Sequence, residues 1–366
     1  MVKLIALSGF LGAGKTTTMV ATATALQRGG HRVAVVTNDQ GTELVDTKLV
    51  RSHLDTVAEV TGGCFCCRFE DLMKVVEALL ANGEVDTVIA EAVGSCTDLQ
   101  ATVVRPLRKY HSDRFTVAPL VTVVDPLRLR AFHRAEQRGE PESDLSYLFG
   151  RQLAEADVIA VNKTDLIDPA GLESVIATLS ERFPAATVVP YSARTGTGLG
   201  QLIDALDGEA AWLEDLDIDY DRYAAAEAQL AWLNQDFGIE ATAGRFSPVS
   251  WGVSVLSHLA AFAEREGATV GHVKVTIDTP AGMTKLSITG TSREPSVDLA
   301  ADEPTGSAAA VINARVACEP DVLDRAVLVA VASADASLST HSSAADATSF
   351  KPGYPQPVHR LTAADA

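Results

Sequence analysis

The chain has 366 residues, 47% of them hydrophobic and 21% charged, which is enough apolar content for a sizeable core and, at roughly 100–200 residues per domain, for two domains. Its 48 acidic residues against 30 basic ones leave a formal net charge of −18, a field that repels phosphate backbones and anionic lipid. Aromatic residues are 5% of the chain and no apolar run reaches the roughly 18–20 residues of a bilayer span, so neither nucleic-acid binding nor a membrane role is expected.

The apolar start Met1–Leu7 is cut short by Ser8-Gly9, so it reads as a strand rather than a secretion signal, and the protein as soluble and cytoplasmic. Leu4–Leu7, Val33–Thr37, Thr87–Ala90, Leu120–Val124, Val158–Val161 and Thr187–Pro190 are apolar on both faces and predict buried strands. Helical patterns over Thr16–Arg28, Leu72–Ala81 and Pro169–Arg182 alternate with them, and Asp168-Pro169 supplies a helix start. The alternation predicts an α/β fold, a doubly wound parallel sheet. It covers residues 1–208. Residues 209–222 are acidic and read as a solvated linker. A smaller α+β domain is expected over 223–333, with strands at Gln229–Trp232, His272–Ile277, Lys285–Thr289 and Ala310–Val316 and helices over Trp251–Arg265 and Asp321–Ala332. Residues 334–366 are expected to form a flexible segment followed by a tail, in which Phe350–Pro355 regains large apolar groups and docks back on the body.

Gly9-Phe10-Leu11-Gly12-Ala13-Gly14-Lys15-Thr16 fits GxxxxGK followed by Ser or Thr, between a predicted strand and a predicted helix. In this pattern of a P-loop NTPase, backbone N–H groups from Gly9, Gly12, Ala13 and Gly14 through Thr17 cradle phosphates at a helix N-terminus. Lys15 reaches the β- and γ-phosphates and the Thr16 hydroxyl ligates Mg²⁺. Asn162-Lys163-Thr164-Asp165 follows a strand and fits the guanine-reading NKxD pattern, with Asp165 accepting from guanine N1–H and the exocyclic amine while Asn162 and Lys163 brace the loop. Ser192-Ala193 after the next strand resembles a further guanine-contacting loop. Hydrolysis needs a carboxylate near the metal. Glu91, at a strand end and followed by Gly94 as a γ-phosphate sensor, and Asp39 are the candidates. No arginine finger within the chain is recognisable, though Arg68 and Arg105 lie near enough in sequence to these segments to be tested for that role.

Three of the five cysteines, Cys64, Cys66 and Cys67, fall within four residues, which is metal-binding or redox spacing rather than a disulfide framework. Thiolates favour Zn²⁺, Cu⁺ or a borderline ion such as Co²⁺. Two of the three with a donor from elsewhere make a plausible set, and Asp39, Glu43, Cys96 and His111 are the candidate partners. Isolated Cys318 reads as packing.

Taken in order, GFLGAGKTT, the GCFCC segment, Glu91-Ala92-Val93-Gly94 and NKTD resemble the CobW-like GTPases, relatives of the HypB and UreG nickel chaperones, over about residues 1–206. The resemblance implies a GTP- and Mg²⁺-dependent, slow GTPase, stimulated by a client or dimer. Nucleotide state would control the binding of zinc or cobalt and its transfer to a client protein. It places Cys64, Cys66 and Cys67 as the metal motif, the second and third as the likelier direct ligands. The alternative is a MeaB-type assembly or protection factor for a corrinoid-dependent enzyme. Its cysteines would be structural, and Trp251, Phe262 and the Phe350–Arg360 tail its client surface. Two departures stand out. The family's Asn-Glu-x-Gly-Glu run reads Asn38-Asp39-Gln40-Gly41-Thr42-Glu43, and the eight histidines are scattered, with no histidine-rich stretch.

Overall fold

A computed structural model describes residues 1–38, 47, 50–51, 53–82, 85–208, 210, 215–290, 294–345 and 347–365. Asp39 and Glu43 lie outside the described residues. The chain divides into two units. One runs to Ala226 and includes Tyr354–Ala366, and the other spans Glu227–Gly353.

The first unit is built on the strands β1 (Val2–Ser8), β2 (Val33–Asn38), β3 (Val57–Val60), β4 (Thr87–Glu91), β5 (Phe115–Val117), β6 (Val121–Val124), β7 (Val158–Val161) and β8 (Thr187–Pro190). All their pairings are parallel, in the order β3-β2-β4-β1-β6-β7-β8, with β5 also on β1. The predicted doubly wound sheet is therefore the observed one. Its central strands bury apolar side chains on both faces, as the Val- and Ile-rich runs require. The strand order reverses at β1, and at such a switch point the carboxyl ends of neighbouring strands part to leave a crevice for a ligand. Strand β3 was not anticipated. It is a half-buried edge strand whose Thr56–Val60 stretch carries Glu59 and lacks a continuous apolar run.

Two glycines are required where β1 opens into the first helix, Lys15–Arg28. At Gly9 (φ 133°) a Cβ would stand 2.2 Å from the Val123 carbonyl, and at Gly14 (φ 94°) 2.4 Å from Asn162 Nδ2. No L side chain fits either position, so the loop presents bare backbone to whatever binds there.

The second unit is an antiparallel sheet of β9 (Ala231–Ala241), β10 (Val270–Thr279), β11 (Gly282–Thr289), β12 (Ser296–Leu299), β13 (Ser307–Val316), β14 (Thr340–Ala344) and β15 (Thr348–Phe350). The order is β12-β11-β10-β13-β9-β14, with β15 also on β9. Helices Pro248–Glu266 and Pro320–Leu338 pack Trp251, Val255, Leu259, Leu323 and Val327 against Val275, Ile277 and Ile312. This is an α+β layer, as expected. Trp251, considered above as client surface, is completely buried in this core, and Phe262 packs on it.

Several boundaries differ from the sequence reading. The linker 209–222 overlaps the helix Tyr220–Ala228, whose start is capped by Asp219 accepting the N–H groups of Asp221 and Arg222. Residues 334–344, expected to be flexible, complete the helix to Leu338 and form β14. Thr340–Ala344 has no apolar pattern of its own and is a strand because it pairs with β9. No helix among the described residues is long and apolar enough to cross a membrane.

Candidate functional site

The carboxyl ends of β1, β4, β6 and β7 bring the sequence motifs together. Lys15, buried under its own loop, donates through Nζ to the carbonyls of Gly9 (2.8 Å) and Phe10 (3.4 Å). Thr16 Oγ1 donates to Glu91 Oε1 at 3.0 Å, both residues buried. A hydroxyl and a carboxylate side by side are hard oxygen donors of the kind Mg²⁺ takes. Gly94 packs against the same loop: a Cβ there would stand 2.6 Å from Leu11 Cδ2 and 3.0 Å from the Leu11 nitrogen.

The Asn162–Asp165 loop is fastened to the phosphate loop. Asn162 Nδ2 donates to the Ala13 carbonyl (3.0 Å) and its Oδ1 accepts from Ala193 N–H (2.9 Å). Lys163, held at φ 59°, donates to the Gly12 carbonyl (2.7 Å) and to Asp125 Oδ2 (2.9 Å). Asp165 is exposed and accepts the Ser192 hydroxyl at 2.7 Å. Tyr191, fully buried, bonds Thr18 Oγ1 at 2.6 Å and ties the helix after the phosphate loop to the Ser192 loop.

Asp125 was missed by the sequence reading. Burial raises its carboxyl, but Lys163 beside it and the N–H of Leu127 more than offset this and leave it below the usual carboxylate range. The signal was present as Asp125-Pro126, a helix start, since Asp125 also caps the helix Pro126–Gln137. In the same helix Arg128 lies over the Phe10 ring at 5.0 Å, and burial pushes its guanidinium down to about 10.

The cysteines form a second constellation in the same unit. The turn from Gly62 leads through Cys64, whose carbonyl accepts from Cys67 N–H (3.0 Å) and Arg68 N–H (2.9 Å), into the helix Phe69–Asn82. Asn38, at the end of β2, pins this turn. Its Oδ1 accepts from Phe65 N–H (3.1 Å) and its Nδ2 donates to the carbonyls of Val60 (3.0 Å) and Gly63 (2.8 Å). Nothing local to Asn38 in the sequence announces that task. The sulfurs of Cys64, Cys66 and Cys67 lie within 4.8 Å of one another, Cys64–Cys66 at 2.8 Å and Cys66–Cys67 at 3.8 Å. Contacts from Cys66, Cys67 and Cys96 hold the Cys64 thiol well below its ordinary range despite burial. Cys66 is pushed up by Cys64 above all, and Cys67 to about 11. Three soft donors at this spacing suit a thiophilic ion.

His111 is not among these donors. Its ring packs 6.1 Å from Phe69 and 6.4 Å from Phe115. Arg68 pairs with Asp71, and Arg105 with Asp215 and the Leu361 carbonyl. His272 is buried against Asn313 Oδ1 at 2.8 Å.

The tail runs across the cysteine turn. Gln356 N–H donates to Cys67 Sγ (3.2 Å), Val358 N–H to the Cys66 carbonyl (2.9 Å) and Leu361 N–H to the Ala101 carbonyl (2.8 Å). His359 sits edge-on to Phe69 at 5.0 Å. Arg360 Nε donates to Asp98 Oδ2 at 2.7 Å, and Asp98 is itself almost fully buried. Removing one partner of such a pair leaves an uncompensated charge. Arg360→Ala is therefore expected to loosen the tail and speed alkylation of half-buried Cys67 by iodoacetamide several-fold, followed by mass spectrometry. Equal rates in the two proteins would show that the ion pair does not hold the cover down.

The parallel sheet, the glycine-lined loop at its switch point and the adjacent thiol cluster define a P-loop nucleotide-binding protein with a metal-competent turn. The family model described as CobW/HypB/UreG, nucleotide-binding domain, matches residues 3–190, and the chain belongs to that family. It is similar to the zinc chaperone CobW of Pseudomonas aeruginosa, 29% identical over 229 residues, 56% of this chain and 59% of that protein. The zinc chaperone CobW of a Sinorhizobium species is 31% identical over 197 residues, 48% of this chain and 54% of that protein. The matches thus span little more than half the length of these curated relatives. Among solved structures, the Zn(II)-bound YjiA GTPase from E. coli aligns over 90% of this chain and 98% of that one, at 16% identity and a TM-score of 0.37.

Proposed function

We propose that the chain is a GTP-hydrolysing metallochaperone that couples its nucleotide state to holding a thiophilic transition metal, zinc or cobalt, and passing it to a client protein. The observation that carries this reading is the clustering of three thiols within 4.8 Å on a turn pinned by Asn38, at the end of a strand of the nucleotide-binding sheet. That two relatives are named zinc chaperones supports zinc as the first metal to test.

In this reading Lys15 turns from the Gly9 and Phe10 carbonyls to the β- and γ-phosphates, and Thr16 and Glu91 hold Mg²⁺ directly or through water. Mg²⁺, held there by Thr16 and Glu91, would supply the positive charge that offsets negative charge developing during phosphoryl transfer. Gly94, packed on Leu11, senses the γ-phosphate, and Asp165, oriented by Ser192, reads guanine. Asp39, outside the described residues, stays a second acid for the metal or the attacking water. Hydrolysis is slow until a client or a second copy engages. Adjacent free thiols keep their function in a reducing compartment, which favours a cytoplasmic setting for this reading.

The test is a competition titration of the reduced full chain with Zn²⁺ and Co²⁺, bound to Mg²⁺–GDP and to a non-hydrolysable Mg²⁺–GTP analogue. The expected result is binding abolished by the double change Cys66→Ser and Cys67→Ser, with affinity shifting about tenfold, or ~1.4 kcal/mol, between nucleotide states. Linkage requires the metal to shift nucleotide affinity by the same factor. Metal affinity indifferent to nucleotide would overturn the coupling and turn attention to a protein cargo such as a corrinoid-dependent enzyme.

A further inference from the structure

The end of the chain spends its backbone donors on the cysteine turn. Residues 351–357 form neither helix nor strand. In Pro355-Gln356-Pro357 the prolines have no N–H, so Gln356 carries the one donor of that stretch, and the proline after it favours extended backbone there. This N–H is given to Cys67 Sγ at 3.2 Å, and two residues on Val358 N–H donates to the Cys66 carbonyl at 2.9 Å. Two consecutive residues of the motif are thus bonded to one short segment. Beyond them the segment is anchored. Arg360 Nε donates to buried Asp98 Oδ2 (2.7 Å), Leu361 N–H donates to the Ala101 carbonyl (2.8 Å), and the Leu361 carbonyl accepts from Arg105 (2.9 Å).

The three sulfurs are not equally covered. Cys64 and Cys66 are buried, while Cys67 is half-buried and is the one whose sulfur the tail bonds. A dication held by three thiolates keeps one negative charge, in a chain whose formal net charge is already −18. A backbone N–H given to one of those sulfurs offsets part of that charge, and hydrogen bonds to an ionised acceptor are roughly twice as strong as neutral ones. Contacts of this kind to a ligating atom fix its orientation and its hold on the ion.

We propose that residues 356–361 are a strap belonging to the metal site: Gln356 N–H supports the Cys67 sulfur, and the metal enters and leaves when the strap lifts. The inference rests on the metallochaperone reading and adds what controls exchange at that site. As the metal binds, each thiol that is still protonated gives its proton to solvent, and the Cys67 sulfur, now a thiolate, accepts the Gln356 N–H more strongly. Metal and strap therefore hold one another in place. A loaded site keeps its ion from passing chelators until the tail is displaced.

The experiment follows release of Zn²⁺ from the full chain, loaded with one equivalent, into an excess of a chromogenic chelator. Gln356→Pro removes the N–H, and Gln356→Ala keeps it. Release is expected to be about tenfold faster or more in Gln356→Pro and within about twofold of wild type in Gln356→Ala, since a hydrogen bond to a charged group carries roughly ten- to hundredfold in an equilibrium constant. Release from Gln356→Pro as slow as from wild type, or equally fast from both variants, overturns the proposal. Hydrogen exchange on the wild-type chain decides the matter if the proline variant does not fold. By linkage Zn²⁺ is expected to slow exchange of the tail amides about tenfold, and equal rates with and without Zn²⁺ overturn the strap. Failure of the underlying reading looks different: wild-type protein that takes up no Zn²⁺, or uptake that survives loss of both Cys66 and Cys67.

Discussion

Asp165→Asn is expected to invert base preference, lowering affinity for GTP by about 10³–10⁵-fold relative to xanthosine triphosphate, since a site built to bond specific donors rejects a partner lacking the match by factors of this order. A carboxylate accepts from both guanine N1–H and the exocyclic amine. The amide keeps one acceptor and sets a donor against that amine, whereas xanthine presents an oxygen there. The surroundings should survive the change. The amide oxygen of the variant would still accept the Ser192 hydroxyl that Asp165 now takes at 2.7 Å, and the loop is anchored independently by Asn162 on Ala13 and Ala193 and by Lys163 on Gly12. Competition binding of GTP, xanthosine triphosphate and ATP reads the result. An unchanged preference for GTP would remove Asp165 from base recognition.

Lys15→Ala is expected to lower GTP affinity by roughly 10²–10⁴-fold, taking about 1.5–3 kcal/mol for each of two charge-assisted hydrogen bonds to the phosphates, and to abolish phosphate release. Lys15 Nζ now occupies the mouth of its own loop, bonded to the Gly9 and Phe10 carbonyls. In the proposed reading it is this ammonium that exchanges those carbonyls for phosphate oxygens. The remaining contacts of the loop, through Asn162 and Lys163, do not involve it, so thermal melting should show a folded protein. Titration with a fluorescent GTP analogue measures the loss, and binding within about threefold of wild type would leave the phosphate assignment without its main cation.

Much of this protein was legible one segment at a time. Strands β1, β2, β4, β6 and β7 announced themselves because a strand covered on both faces must be apolar on both, and Val and Ile fill that requirement without help from context; the edge strand β8 was legible from its Thr-Val-Val run although only Val189 is buried. The phosphate loop, Asn162–Asp165 and the cysteine turn were legible for a related reason: each collects its chemistry from neighbouring residues, so spacing alone carries the meaning. The edge strands of the second unit were not. Thr340–Ala344 and Thr348–Phe350 become strands because β9 offers backbone partners, and no pattern in their side chains says so.

The sequence by itself determined the sheet, the phosphate loop and the presence of a thiol-rich turn. Tertiary structure alone decided what those parts touch. Asp125 meets Lys163, Asn38 clasps the cysteine turn, Gln152 staples Gly94 to Cys96, and Gln356 reaches Cys67. Gln356 and Cys67 are 289 residues apart in the chain. Local propensity has no term for such a pair. It arises when strand order and chain crossings bring distant loops to one end of a sheet, where buried polar groups must find partners among whatever the fold has placed there.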